Sequence, residues 1–273
     1  MSRLVLVPTP IGALRDVTLR ALDVLGGADV VAAEDTRRSA TLLREHGIAT
    51  PLVRLDAHTI PTRGPGLLAE HATVAYVTDA GTPGVSDPGA DLVRLALDAG
   101  HDVEALPGPS AVLPALVLSG LPVARFTFEG FLPRKGRDRG DRLARLAARP
   151  ETTALYEAPG RVPGTLADLA EACGGDRPAS LSRELTKRFE TTLRGSLADL
   201  ATATAADPPR GECVVVVGGA PEGAPGPPPG EADRYAAALR GAGVTGRTLR
   251  DALVALGVAK NDAYRAALDG EEG

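Results

Sequence analysis

The residues with the plainest capacity for chemistry lie in a turn. Val74-Ala75-Tyr76-Val77 reads as a short buried strand, and Thr78-Asp79-Ala80-Gly81-Thr82-Pro83 follows it. Ser86-Asp87-Pro88-Gly89 then leads into an amphipathic helix over Asp91 to Ala99, with Asp87 where an N-cap belongs and Pro88 at the first helical position. A strand that ends in Asp and runs through Gly and Thr into a helix exposes backbone N–H groups at its carboxyl edge. That edge is where open α/β sheets bind ligands. The alternative is a well-made βα turn with no ligand. Further turns of the same kind favour a site: Pro8-Thr9-Pro10-Ile11-Gly12, Glu34-Asp35-Thr36-Arg37-Arg38 and Pro107-Gly108-Pro109-Ser110-Ala111.

Several common chemistries are missing from the sequence. It holds no Walker A loop, no Gly-x-Ser-x-Gly elbow, no zinc spacing and no His-Glu-x-x-His. His46, His58, His71 and His101 are scattered, which argues against a histidine-centred hydrolase. Polar turns rich in Gly and Pro but poor in Lys suit a ligand with a nucleoside and no polyphosphate. S-adenosylmethionine is a ligand of that kind, with Asp79 placed for hydroxyls or a cation.

The elements that position these turns follow from the apolar pattern. Strands are predicted at Arg3 to Val7, Asp29 to Ala33, Pro51 to Leu55, Val74 to Val77 and Asp102 to Leu106. They alternate with helices, the first running to Leu25 with Asp16 as its cap, and Asp56 to Gly66 is read as irregular. Strand and helix in alternation with short connections argue a mainly parallel sheet covered on both faces. A second α/β domain is expected from 121 to 219, with its hinge at Gly120 to Val123, after a first domain of 1 to 120. A Pro/Gly linker over 220 to 230 precedes a small helical appendage over 231 to 273.

The chain has 273 residues, a net charge of −5 and a sequence pI of about 5.5, so it carries no global basic footprint for nucleic acid. Lys occurs only at Lys135, Lys187 and Lys260, in a chain whose other cations are all Arg. A local basic run holds Arg134, Lys135, Arg137, Arg139, Arg142, Arg145 and Arg149 against Asp138 and Asp141. It reads either as a phosphate-binding surface or as a solvated helix face. Cys173 and Cys213 are isolated and expected to be reduced. No signal peptide precedes the first strand and no apolar run approaches the ~20 residues needed to cross a bilayer, so a soluble cytoplasmic protein is expected.

Seven motifs stand in one order: Pro8-Thr9-Pro10-Ile11-Gly12, Ala33-Glu34-Asp35-Thr36-Arg37, Thr78-Asp79-Ala80-Gly81-Thr82-Pro83, Ser86-Asp87-Pro88-Gly89, Pro107-Gly108-Pro109-Ser110-Ala111, Tyr156-Glu157-x-Pro159 and Arg183-Glu184-Leu185-Thr186-Lys187. In these motifs the chain resembles the bacterial 16S ribosomal RNA cytidine 2′-O-ribose methyltransferases of the tetrapyrrole-methylase superfamily. The resemblance spans Leu4 to about Val217, and the tail around Lys260-Asn261-x-x-Tyr264 is also similar. It departs at Ala13, where many relatives carry Asn, and at Asp56-Ala57-His58-Thr59, where His-Asn-Glu is expected.

The resemblance implies two α/β domains with S-adenosylmethionine in the cleft between them, a homodimer, and 16S ribosomal RNA within the small subunit as substrate. It implies that Pro10 lines the adenosine end and that Thr78, Asp79, Ala80, Gly81 and Thr82 hold the methionine and ribose. Pro109, Ser110 and Ala111 approach the same ligand, and Tyr156, Glu157 and Leu185 close it from the second domain. Arg134, Lys135, Arg137, Arg139 and Arg142 are then the expected RNA contacts. For proton removal the candidates are Glu184 as base and Lys187 as its electrostatic partner, the alternative being that they simply pair with one another or with Arg183. The rival assignments are a porphyrinoid methylase, whose Val-Gly-x-Gly-Pro-Gly-Asp first loop is absent here, and a non-catalytic ribosome-binding protein.

Overall fold

The computed structural model describes residues 2–221, 231–258 and 260–268. Its first sheet joins β1 (Arg3–Leu6), β2 (Val30–Ala33), β3 (Leu52–Arg54), β4 (Thr73–Val77) and β5 (Asp102–Ala105), all parallel, in the order β3-β2-β4-β1-β5. Its central strands are apolar beyond their first residues, Arg3 and Thr73, because helices cover both faces. Val5, Val31, Ala75 and Val77 pack with Ala21, Leu25 and Leu42 on one side. Leu4, Val30, Val74 and Tyr76 pack with Ile60, Leu68 and Leu92 on the other.

The second sheet is mixed. It joins β6 (Phe126–Phe131), β7 (Thr152–Glu157), β8 (Pro178–Arg183), β9 (Thr191–Ser196) and β10 (Cys213–Val217) in the order β6-β7-β10-β8-β9, with only β6 and β7 parallel. Alternation along β10 divides its side chains between two layers. Cys213, Val215 and Val217 face helices Arg137–Ala148, Val162–Cys173 and Leu197–Ala206. Val214 and Val216 face helix Val112–Ser119 and share a core cluster with Ile11 and Leu185. The last helix before the expected domain boundary therefore packs on the second sheet, and it ends at Gly120 in the left-handed conformation.

Three local expectations are corrected. Asp16 lies in a short 3₁₀ turn, and helix Leu19–Gly27 is capped by Thr18, whose hydroxyl accepts from the Ala21 N–H three residues on. The segment expected to be irregular holds helix Ile60–Glu70 despite Pro65 inside it. Ile60, Gly64 and Leu68 fall on one buried stripe, and that packing outweighs poor propensity. Asp87 is not a cap: helix Ala90–Asp98 begins after Gly89, and the Asp87 carboxyl turns inward.

Helices Glu231–Gly241, Gly246–Ala255 and Lys260–Leu268 form a separate cluster around Leu249, Leu253, Ala263 and Ala266. Of the expected linker, residues 222–230 lie outside the described residues. Among the described residues no helix is long and apolar enough to cross a membrane.

Candidate active site

The loops after β1, β4 and β5 are locked together by the backbone. Thr9 and Gly81 exchange N–H···O bonds of 2.9 and 2.8 Å, and the Thr9 hydroxyl donates to the Thr78 carbonyl at 3.2 Å. Gly81 sits at φ +80°, a conformation that a side chain strains. Gly108 lies so close to the first loop that an added Cβ would meet Pro8 at 2.6 Å. The Thr82 hydroxyl donates to the Pro109 carbonyl at 3.0 Å.

Above these loops the two domains enclose a cleft of about 340 Å³. Asp79, Ala80, Gly81, Thr82, Ser110 and Ala111 line it from the first domain. Tyr156, Glu157 and Leu185 line it from the second, so nine of the expected cofactor residues meet in one cavity. Pro10, Thr78 and Pro109 are not among its lining residues. The lining residue of the first loop is Ile11, while Thr78 donates its hydroxyl to Asp87 at 3.3 Å. Sequence reasoning missed Arg38, Asp87, Phe131 and Glu212 as lining residues. Signals existed for Arg38, within the turn Glu34-Asp35-Thr36-Arg37-Arg38, and for Asp87, within Ser86-Asp87-Pro88-Gly89, which reads as a helix cap.

The cleft is walled by carboxylates. Asp79 Oδ2 lies 3.4 Å from Arg38 Nε, whereas Asp79 Oδ1 is buried with no hydrogen-bond partner. Burial, and then repulsion from Glu34 and Asp79, pushes Asp87 up to about 6. Glu157 is 2 % exposed; it accepts from the Thr165 hydroxyl at 2.6 Å and lies 3.3 Å from Arg161. Tyr156 packs edge-on against Phe128 at 5.0 Å and interacts with Ser110 across the cleft, while burial pushes its phenol up to about 12.

The expected base pair sits outside this lining. Lys187 Nζ lies 2.9 Å from Glu184 Oε1 and 3.1 Å from Glu212 Oε2, and Glu184 also accepts from the Glu212 N–H at 3.1 Å. These bonds hold the Glu184 carboxyl below its ordinary value, the wrong direction for a base near neutrality. Glu184 and Thr186 both have positive φ, and the Thr186 hydroxyl accepts from the Ala13 N–H of the first domain at 3.0 Å. The turn thus works as a clasp between domains that presents Leu185 to the cleft.

The basic run divides. Arg134, Lys135 and Arg137 are exposed just beyond Phe131, which lines the cleft. Arg139 and Arg142, expected on the RNA-facing surface, are held by the protein itself. Arg139, with a side chain only 12 % exposed, pairs with Asp168 at 2.7 Å and donates to the Pro133 carbonyl and the Thr165 hydroxyl. Arg142 pairs with Glu129 at 2.8 Å. Arg139 thus turns toward helix Val162–Cys173 and Arg142 toward β6. Arg139→Gln is therefore expected to cost about 1–3 kcal/mol in a denaturant titration. Its cofactor affinity, read by calorimetry, is expected to stay unchanged.

Comparison with known proteins agrees with this geometry. A family model described as Tetrapyrrole (Corrin/Porphyrin) Methylases matches residues 3–201. The chain is 44% identical over 270 residues to a protein of Mesorhizobium japonicum named ribosomal RNA small subunit methyltransferase I, covering 97% of this chain and 91% of that one. It is 49% identical over 220 residues to a protein of the same name from Xylella fastidiosa, covering 79% of this chain and 81% of that one. Among solved structures, uroporphyrin-III C-methyl transferase from Thermus thermophilus, complexed with S-adenyl homocysteine, aligns with a TM-score of 0.57 at 21% identity. That alignment covers 80% of this chain and 97% of the other, and it is a likeness of fold. Two α/β domains closing on a carboxylate-walled cleft, with the match running from the first strand through most of the second domain, place the chain in the tetrapyrrole (corrin/porphyrin) methylase family.

Proposed function

We propose that the protein transfers a methyl group from S-adenosylmethionine to the ribose 2′-oxygen of a cytidine in the decoding region of 16S ribosomal RNA. In this reading it acts in the cytoplasm, as a homodimer, on the small ribosomal subunit. The observation that carries the reading is the interdomain cleft with the partnerless Asp79 Oδ1 in its wall. Carboxylates at Asp79, Asp87 and Glu212 suit a ligand with sulfonium and ammonium charges and no phosphate. Main-chain groups of Ala80, Gly81 and Thr82, with Ser110, Ala111, Tyr156 and Leu185, are placed to hold its nucleoside and amino-acid ends.

When bound, the cofactor supplies a methyl group activated by positive sulfur, and its leaving thioether needs no acid. The chain's own work is to align the acceptor, exclude water and accept one proton. Alignment of two reactants accounts for up to about 7–11 kcal/mol of barrier lowering. The 184–187 turn, stiffened by Glu184 and Lys187, contributes by fixing the second domain to the first through the Thr186–Ala13 bond. The acceptor class is supported by relatives, at 44% and 49% identity, named ribosomal RNA small subunit methyltransferase I.

Incubation of purified small subunits with protein and S-adenosylmethionine, followed by mass mapping of the RNA, tests the reading. One added methyl on a cytidine ribose is expected; transfer to a base, or no transfer, overturns it. The exposed cations Arg134, Lys135 and Arg137 are the proposed phosphate contacts. Replacing all of them with Gln is expected to weaken subunit binding. The slope of log affinity against log salt should fall by about 2, since fewer counterions are released. An unchanged slope would make them a solvated surface.

A further inference from the structure

Beside the cofactor cleft lies a second, larger cavity of about 650 Å³. It is built at the carboxyl ends of three neighbouring strands: Glu34 and Arg37 follow β2, Asp56 and His58 follow β3, and Asp79 follows β4. Asp79 lines both cavities, so they meet at its carboxylate. A methyl acceptor must bring its oxygen within about 3–3.5 Å of the donor carbon, so its site has to open onto the cofactor cleft. This cavity adjoins it at Asp79, whose Oδ1 has no hydrogen-bond partner.

Its carboxylates are not equivalent. Asp35 pairs with Arg37 at 2.6 Å and caps helix Thr36–Glu45. Asp56 pairs with Arg54 at 2.9 Å and accepts from Thr59, which holds its local turn. Glu34 lines the cavity together with Asp79 and feels the Asp79 charge, which puts its carboxyl near the junction of the two cavities. Below the cavity the fully buried Tyr76 hydroxyl has no partner and feels the charges of Glu34, Asp56 and Asp87.

We propose that this second cavity receives the acceptor nucleotide and that Glu34 takes the proton from its ribose hydroxyl. The inference rests on the methyl-transfer reading above and names its acceptor site and base. As the hydroxyl oxygen bonds to the methyl carbon, the carbon–sulfur bond breaks and its electron pair stays on sulfur. The hydroxyl proton moves to a Glu34 oxygen and leaves later to solvent. Burial first and then the Asp79 charge push the Glu34 carboxyl above its ordinary value, with Asp56 adding and Arg38 opposing. A carboxylate raised in this way is a stronger base than an exposed one. Arg37, Arg54 and His58 supply donors for the phosphates and base edge of the nucleotide.

Glu34→Gln keeps the shape of the side chain and removes its capacity to take a proton. It is expected to lower the single-turnover methylation rate about 10²–10⁴-fold with cofactor and subunit affinities unchanged. The rise of rate with pH through the Glu34 titration is expected to vanish in this variant and to persist, at reduced rate, in Glu34→Asp. A separate readout uses cofactor-free wild-type protein: added small subunits should slow hydrogen exchange in segments 34–37 and 54–58. If wild type methylates subunits while Glu34→Gln retains full rate, or if those segments stay unprotected in the bound complex, this inference falls and the methyl-transfer reading stands. If wild type transfers nothing to subunits, the reading itself falls.

Discussion

Asp79→Ala is expected to raise the dissociation constant for S-adenosylmethionine about 10–100-fold while leaving the fold intact. Charge-assisted hydrogen bonds contribute about 1.5–3 kcal/mol each. In the free protein Asp79 Oδ1 has no partner to lose, so truncation removes a ligand contact and not a structural one. The other oxygen lies 3.4 Å from Arg38, whose side chain is 60 % exposed, and a pair of that kind adds little to stability. Calorimetric titration reads the affinity and a denaturant titration the stability. Unchanged affinity would remove Asp79 from the cofactor site. Asp79→Asn separates charge from shape: it keeps one acceptor oxygen but not the attraction for a cationic ligand, so an intermediate loss is expected.

The second large effect concerns pH. Asp87 is pushed up to about 6 by burial and by neighbouring carboxylates, so it is protonated in mild acid and charged at neutrality. A cationic ligand prefers the charged form. Cofactor affinity is therefore expected to rise as pH increases through about 6 and to level off above it. In Asp87→Asn the same titration should be nearly flat between about pH 5 and 7.5, at the weaker level. Stability of the free protein runs the other way. A carboxyl whose folded value is raised favours folding while protonated, and that contribution is lost as pH rises through the folded value. At pH 7.5 Asp87→Asn is thus expected to be more stable than wild type, on the order of 2 kcal/mol, and to bind cofactor worse. A variant less stable at neutral pH, or an affinity profile in wild type that is flat across pH 6, would contradict this account.

Most of the framework was legible in the sequence because it rests on local signals. Parallel strands buried on both faces must be apolar throughout, and Leu4 to Val7, Val30 to Ala33 and Val74 to Val77 announce themselves for that reason. Gly81 and Gly108 mark a left-handed turn and a close approach that other residues obstruct. Helix Ile60–Glu70 was hidden because its two prolines and two glycines are poor local signals, and only the groove under Ile60, Gly64 and Leu68 holds it.

Side-chain allegiance was another matter. Arg137 and Arg139 are two residues apart on one helix, yet Arg137 is exposed and Arg139 is anchored to Asp168. Residues two apart on a helix point about 200° from one another, and which side faces the sheet is set by packing. Glu184 and Lys187 carry the right chemistry for proton transfer, but their bonds to Glu212, distant in sequence, make them a clasp. Asp87 stands where a helix cap belongs, and the Thr78 hydroxyl holds it in the cleft instead, against the repulsion of Glu34 and Asp79. The sequence by itself determined the strands, the glycine-dependent turns and the family, since each depends on residue type at short range. Only the tertiary structure decided which carboxylates line the cleft, because that depends on partners brought in from distant parts of the chain.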